Sequence, residues 1–160
     1  MPCYLFTYHG HGTWLPDHSR GYVRRRVGVL AADVEMARNY RENLAGEAVC
    51  FDLKIQRVLI NAALEAFRFQ AVRGHGIATE STHVHILVSW KTEATWELVR
   101  RRLRSSLTRQ LNAAFGKREW FAKQPSRKRV ADRKHFDHLM QKYLPRHSGL
   151  KWHEGIGAYS

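Results

Sequence analysis

Two histidines separated by one residue, His83-Val84-His85, lead the apolar run His83-Val84-His85-Ile86-Leu87-Val88, and this pattern constrains the chain more than any other. Side chains alternate along a β-strand, so both imidazoles point to one face while Val84, Ile86, Val88 and Trp90 point to the other. Such a strand offers two metal ligands on one side and packs a core with its other side. Two imidazoles are half of a metal site, although the same spacing suits a pair of half-buried, hydrogen-bonded histidines. A second pair, His9-Gly10-His11, has glycine at its centre and another after it, which predicts a turn where the two rings need not align.

Composition narrows the partner. Lys and Arg number 27 against 14 Asp and Glu in 160 residues, a formal net charge of +13, with a pI near 10.3. At 44% apolar residues the chain can bury a core without disulfides, so one domain over residues 1–160 is expected. A folded basic protein fits a polyanion, nucleic acid first, because basic side chains gain by displacing counterions from a phosphate backbone. No apolar run approaches the roughly 18 residues of a membrane span, and Met1-Pro2-Cys3-Tyr4 lacks the layout of a signal peptide. The expected location is the cytoplasm, associated with the nucleoid rather than with membrane. Cys3 and Cys50 are expected as reduced thiols.

Residues 3–8 read as a first strand. Gly12 to Gly21 is rich in turn formers and is followed by Arg24-Arg25-Arg26, a basic loop. Helices are predicted over about Ala31 to Leu44 and Asp52 to Gln70, the second burying Ile55, Leu59, Ala62, Ala66 and Phe67. Gly74-His75-Gly76 should separate that helix from a hairpin of Gly76 to Glu80 and His83 to Trp90. A long helix follows from about Thr95 to Phe115, its apolar stripe Trp96, Val99, Leu103, Leu107, Leu111 and Ala114. Its other faces carry Arg100, Arg101, Arg102, Arg104 and Arg109, and no acid from Leu98 to Lys117 offsets them. A charge run can be only a solvated face, but one-sided charge repels itself unless a polyanion relieves it. Trp120 to Val130 is read as a strand interrupted at Pro125. The last helix starts near Asp132 with Phe136, Leu139, Met140, Tyr143 and Leu144 inward, and Leu150 to His153 closes the sheet. This order predicts an α+β fold, a ferredoxin-like antiparallel sheet with helices on its faces.

The His-hydrophobe-His strand, the segment Gly12-Thr13-Trp14-Leu15-Pro16-Asp17 with Arg20-Gly21, and Tyr143 on a late helix together resemble the single-tyrosine HUH transposases, the insertion-sequence and REP-associated kind. The resemblance spans most of the chain. It implies the HUH fold, a divalent metal, Mg²⁺ or Mn²⁺, and single-stranded or hairpin DNA as partner, and it leaves room for a homodimer. The implied reaction is DNA cleavage and strand transfer in transposition, through a 5′-phosphotyrosine with a free 3′-OH. The implied roles are Tyr143 as nucleophile, His83 and His85 as ligands, and a third ligand four residues after the tyrosine, where the family often has glutamine and this chain has His147. Pro145 falls between the two and tends to end or kink a helix, so Glu80, His138 and a water stay open as alternatives.

The chemistry is coherent on its own terms. A tyrosine with pKa near 10 is a poor nucleophile at neutral pH and needs a base or a cation at the scissile phosphate. Histidines hold Mg²⁺ weakly and Mn²⁺ better. Tyr143 also sits on an apolar stripe, where a tyrosine anchored by its hydroxyl is the ordinary case. Phosphate contacts are expected from Arg20, Arg24, Arg25, Arg101, Arg104 and Lys128, and base stacking from Trp14. Two rival functions fit the same basic surface: a domesticated or inactive relative that binds DNA or RNA hairpins without cutting, and an RNA-binding module with no metal.

Overall fold

Tyr4, Phe6 and Tyr8 alternate with Leu5 and Thr7 along the first strand, β1 (Cys3–His9), and this alternation divides the molecule into two layers around one sheet. The computed structural model describes residues 1–13, 22–24, 28–42 and 47–160. Of the expected DNA contacts, Trp14, Arg20 and Arg25 lie outside the described residues, and Arg24 is placed as backbone only. A separate two-stranded ribbon, β2 (Tyr22–Arg24) and β3 (Gly28–Leu30), precedes α1 (Val34–Glu42). Then come α2 (Leu53–Phe69), β4 (Val72–Thr79), β5 (His83–Trp90), α3 (Trp96–Phe115) and β6 (Ser126–Arg129). The chain closes with α4 (Arg133–His138), a π-helical turn over Leu139–Tyr143, β7 (Lys151–His153) and β8 (Gly157–Tyr159).

The main sheet has the order β6-β1-β5-β4-β7-β8, and each neighbouring pair is antiparallel. Its first four strands with α2 and α3 make the β-α-β-β-α-β arrangement of a ferredoxin-like fold, extended at one edge by the β7–β8 hairpin. Tyr4, Phe6, Tyr8, Val84, Ile86, Val88 and Trp90 pack with Leu59, Leu103, Leu107 and Leu111 of α2 and α3. The opposite face is covered by the C-terminal helix, where Leu5, Ala78 and Leu87 meet Leu139, Met140 and Leu144. The helix starts are capped as side-chain chemistry dictates: Asp52 accepts from the Ile55 N–H at 2.8 Å, Thr95 from Leu98 at 3.3 Å and Asp132 from His135 at 2.8 Å.

Several local expectations are corrected. Gly74-His75-Gly76 is no break, since β4 begins at Val72 and runs through it with a register shift between Gly74 and Gly76. A Cβ at Gly74 would collide with the Phe67 ring, so this glycine serves the close approach of α2. The chain turns instead at Ala71, with φ 52°. Regular pairing of the segment after Trp120 is confined to β6, preceded by a single bridge from Gly10 to Phe121, and Ala114 is exposed. Strand β8 pairs with β7 beyond the expected end of the sheet. Both cysteines are free thiols, and burial pushes Cys3 up to about 11.

Candidate metal centre and nucleophile

Strand β5 delivers the first two candidate ligands as its alternation requires. His83 and His85 lie on the face away from α2 and α3, at the end of β5 that pairs with His9 and Thr7 of β1. Opposite His85 on β4 stands Ala78, buried in the cluster under the C-terminal helix. The third imidazole is His147, buried, and one ligand atom from each of the three lies within 4.8 Å of the others. Glu80 and His138 are not members of this group, which is the sole such group among the described residues.

The other ring nitrogen of each histidine is engaged by the protein. Nδ1 of His83 faces Thr82 Oγ1 at 2.8 Å, Nδ1 of His85 faces Thr7 Oγ1 at 2.7 Å, and Nδ1 of His147 faces the Leu144 carbonyl at 3.2 Å. A carbonyl only accepts, so His147 Nδ1 carries the proton and Nε2 is the atom it could offer to a metal. The two threonine hydroxyls can accept in the same way, an arrangement that would turn Nε2 of each ring toward a common point. Orientation of this kind is what holds metal-binding histidines in place. Burial first, then the charges of His83, His147, His9 and Arg146, press His85 down to about 2, so it stays an uncharged donor at neutral pH.

That shift sets a pH response. Unfolded, His85 takes up a proton near the ordinary imidazole value of about 6.5, whereas folded it does not. Metal-free protein therefore loses stability as pH falls below about 6.5. Urea midpoints should drop between about pH 7.5 and pH 5, and a flat midpoint in a chain whose His85 is intact would contradict the burial argument.

Tyr143 reaches the site from the π-helical turn. There the Leu144 N–H bonds to the Leu139 carbonyl at 2.9 Å, a five-residue spacing in place of four. Its hydroxyl lies 3.3 Å from His85 Nε2, and its ring packs edge-on against His85 and His147 at 5.3 and 5.0 Å. Pro145 does end the regular helix, yet His147 is not displaced: a tight turn from Leu144 to His147, closed at 3.3 Å, returns the ring to the tyrosine's face.

The loop carrying His147 is pinned by residues to which sequence reasoning attached no role. The buried Lys151 ammonium donates to the His147 carbonyl at 2.8 Å and the Gly149 carbonyl at 3.2 Å. Gln56 of α2 accepts from Thr79 Oγ1 and from the Leu150 N–H at 2.8 and 3.0 Å. A Cβ on Gly149 would strike the Thr79 carbonyl and the Gln56 amide oxygen. Lys151→Met keeps the volume and removes the donor, and should lower Mn²⁺ affinity about tenfold, with Lys151→Arg restoring part of it. Calorimetric titration measures this, and full affinity in Lys151→Met would show that the ammonium does not position His147.

Arg146 is a further residue that the sequence pattern does not single out. It is exposed, and its guanidinium carbon lies 4.6 Å from the centre of the Tyr143 ring. Its place three residues after the tyrosine was the available signal. His9 also borders the site, its ring 5.6 Å from that of His83. Arg101 is exposed on α3, while Arg104 donates to the Phe121 and Lys123 carbonyls, both at 3.2 Å. Lys128 pairs with Leu5 and so shares the histidine face of the sheet.

A second polar cluster has the order serine, histidine, acid. Ser89 Oγ lies 2.8 Å from His75 Nε2, and His75 Nδ1 lies 2.6 Å from Glu154, which Arg73 also binds at 2.8 Å. Ser89 is 1% exposed, so no substrate reaches it, and the cluster fastens the β7–β8 hairpin to β4.

Among the solved structures that resemble the chain are two of transposase type. One is a REP-associated tyrosine transposase bound to a REP hairpin, at 11% identity and a TM-score of 0.48 over 87% of this chain. The chain spans 62% of that transposase's length. The other is a candidate transposase from Deinococcus radiodurans R1, at 12% identity and a TM-score of 0.42, covering 92% of this chain and 91% of that one. No protein-family model matches the chain, and no curated protein sequence matches it. No helix among the described residues is long and apolar enough to cross a membrane.

Proposed function

We propose that the protein is a metal-dependent DNA strand-transferase in which Tyr143 attacks a phosphodiester of single-stranded DNA. The observation that carries this reading is the tyrosine hydroxyl 3.3 Å from His85 Nε2, within a three-histidine cluster spaced to hold a metal ion. Tyrosine and ligand set converge from separate elements, on a chain of net charge +13. An apolar anchor role for Tyr143 would account for its ring but, among the described residues, leaves the hydroxyl with only a long contact to His85.

His83, His85 and His147 would hold the ion through Nε2; three imidazoles without a carboxylate favour Mn²⁺ over Mg²⁺. When bound there, a divalent cation draws charge from a phosphate oxygen and orients the diester for in-line attack. Tyr143 supplies the nucleophile: its Oη–phosphorus bond forms as the phosphorus–O3′ bond breaks, the phenol proton leaves to water, and the released 3′ oxygen takes up a proton. The products are a 5′-phosphotyrosine and a 3′-OH, and strand transfer is the reverse step with another 3′-OH. Arg146, its guanidinium over the tyrosine ring, would offer positive charge to a phosphate engaged at Tyr143, and Arg101, Arg104 and Lys128 would contact the flanking backbone.

Incubation with labelled hairpin or single-stranded DNA and Mn²⁺, followed by a denaturing gel, tests this reading. A protein–DNA adduct is expected. Tight DNA binding with no adduct over a range of sequences and metals would replace it with a binding protein that does not cut.

A further inference from the structure

The basic groove of α3 and the histidine cluster lie on opposite faces of the sheet, because α3 packs on the Tyr4–Phe6–Tyr8 face and the histidines project from the other. A single bound strand can serve both only by crossing an edge. The β6 edge is near. Thr7 pairs with His85 on one side and with Ser126 on the other, so His85 is two strand spacings, about 10 Å, from that edge.

The edge is built differently at just this level. The Ala122 N–H bonds to the His9 carbonyl at 2.9 Å, and Ser126 pairs with Thr7. While β1 advances from His9 to Thr7, its partner segment advances from Ala122 to Ser126, so residues 123–125 loop outward. Two arginines of α3 tie that loop down: Arg100 donates to the Pro125 carbonyl at 3.1 Å, and Arg104 to those of Lys123 and Phe121. Arg101, Arg104 and Lys123 then line one open groove, in which Glu97 is the sole carboxylate. Arg101 and Lys123 are exposed, and neither forms an ion pair among the described residues. At the edge itself Lys128 faces the histidine side. The exposed, positively charged β6 leaves no acid along the way.

We propose that the DNA strand engaged at Tyr143 continues over the β6 edge at residues 123–126 and into the groove of Arg101, Arg104 and Lys123 on the opposite face of the sheet. This rests on the single-stranded DNA reading above. Phosphates recur about every 3.4 Å along a stacked strand, so the crossing from His85 to the edge takes about three nucleotides and the groove receives those beyond. A groove used by an unconnected molecule would have no need to sit level with the histidines.

The test compares two oligonucleotides, about 6 and about 20 nucleotides long and both centred on one cleavable sequence, in fluorescence anisotropy with Arg101→Ala/Lys123→Ala. Arg104 is left in place because it holds the loop, and thermal melts confirm the fold. The preference for the long strand over the short should fall about fivefold in the variant, and the long-strand salt slope should become shallower by about 1.4, from 0.7 per lost phosphate contact. An unchanged long-to-short ratio overturns the path, whether both affinities fall together or neither does. Absence of a tyrosine adduct in the unaltered protein would instead sink the cleavage reading, and the binding ratio would still report on the path.

Discussion

Tyr143→Phe is expected to abolish the covalent adduct while leaving DNA and Mn²⁺ binding within about twofold of the unaltered chain. Only the hydroxyl is lost. The edge-on contacts of the ring with His85 and His147, and the Arg146 guanidinium over its face, all survive in phenylalanine. The hydroxyl's one hydrogen bond among the described residues is long, at 3.3 Å, so its removal costs folding little. Adduct on a denaturing gel should fall to background in the same protein that still shifts the DNA in a native gel. An adduct of undiminished yield would move the nucleophile to another tyrosine, and simultaneous loss of binding would make Tyr143 a structural residue.

Removing either ligand of β5 should have the next largest effect. His83→Ala or His85→Ala takes away one of three donors and is expected to lower Mn²⁺ affinity by about a hundredfold or more, with cleavage lost in parallel. The control is His9→Ala/His11→Ala. His9 lies beside His83 but outside the three-ligand group, so that double variant should keep Mn²⁺ affinity within about threefold. Calorimetry decides between the pairs, and a dominant effect of the N-terminal pair would mean that the ion sits elsewhere.

The order and type of the sheet's central elements were legible because β5 alternates strictly and α2 and α3 carry unbroken apolar stripes between clear caps, Asp52 and Thr95. His83 and His85 were legible for the same reason: a strand turns sequence spacing directly into a shared face. What escaped depended on distance along the chain. The Gly74–Gly76 stretch reads as a breaker because nothing local reveals the Phe67 ring that requires Gly74. Proline at 145 forecasts a displaced His147, since the compensating contacts come from Gln56, Thr79 and Lys151, none of them its helical neighbours. Arg104 reads as one more surface charge, although two of its donors are committed to carbonyls of a segment about twenty residues further on.

The π-helical turn before Tyr143 makes this chain unequally sensitive to different kinds of genetic change. Such a turn contains one residue more than an α-helix needs. Deleting one residue between Leu139 and Tyr143 would let ordinary four-residue bonding resume, and because the turn absorbs its extra residue without advancing the helix, the side chains beyond it would keep about their present direction. A one-residue insertion in the same stretch finds that slack already used and would turn every later side chain by about 100° around the axis. The sheet, its core and the basic groove would be untouched, but the tyrosine would leave the histidines. For a chain working as proposed, losing a residue here costs little and gaining one separates gripping DNA from cutting it.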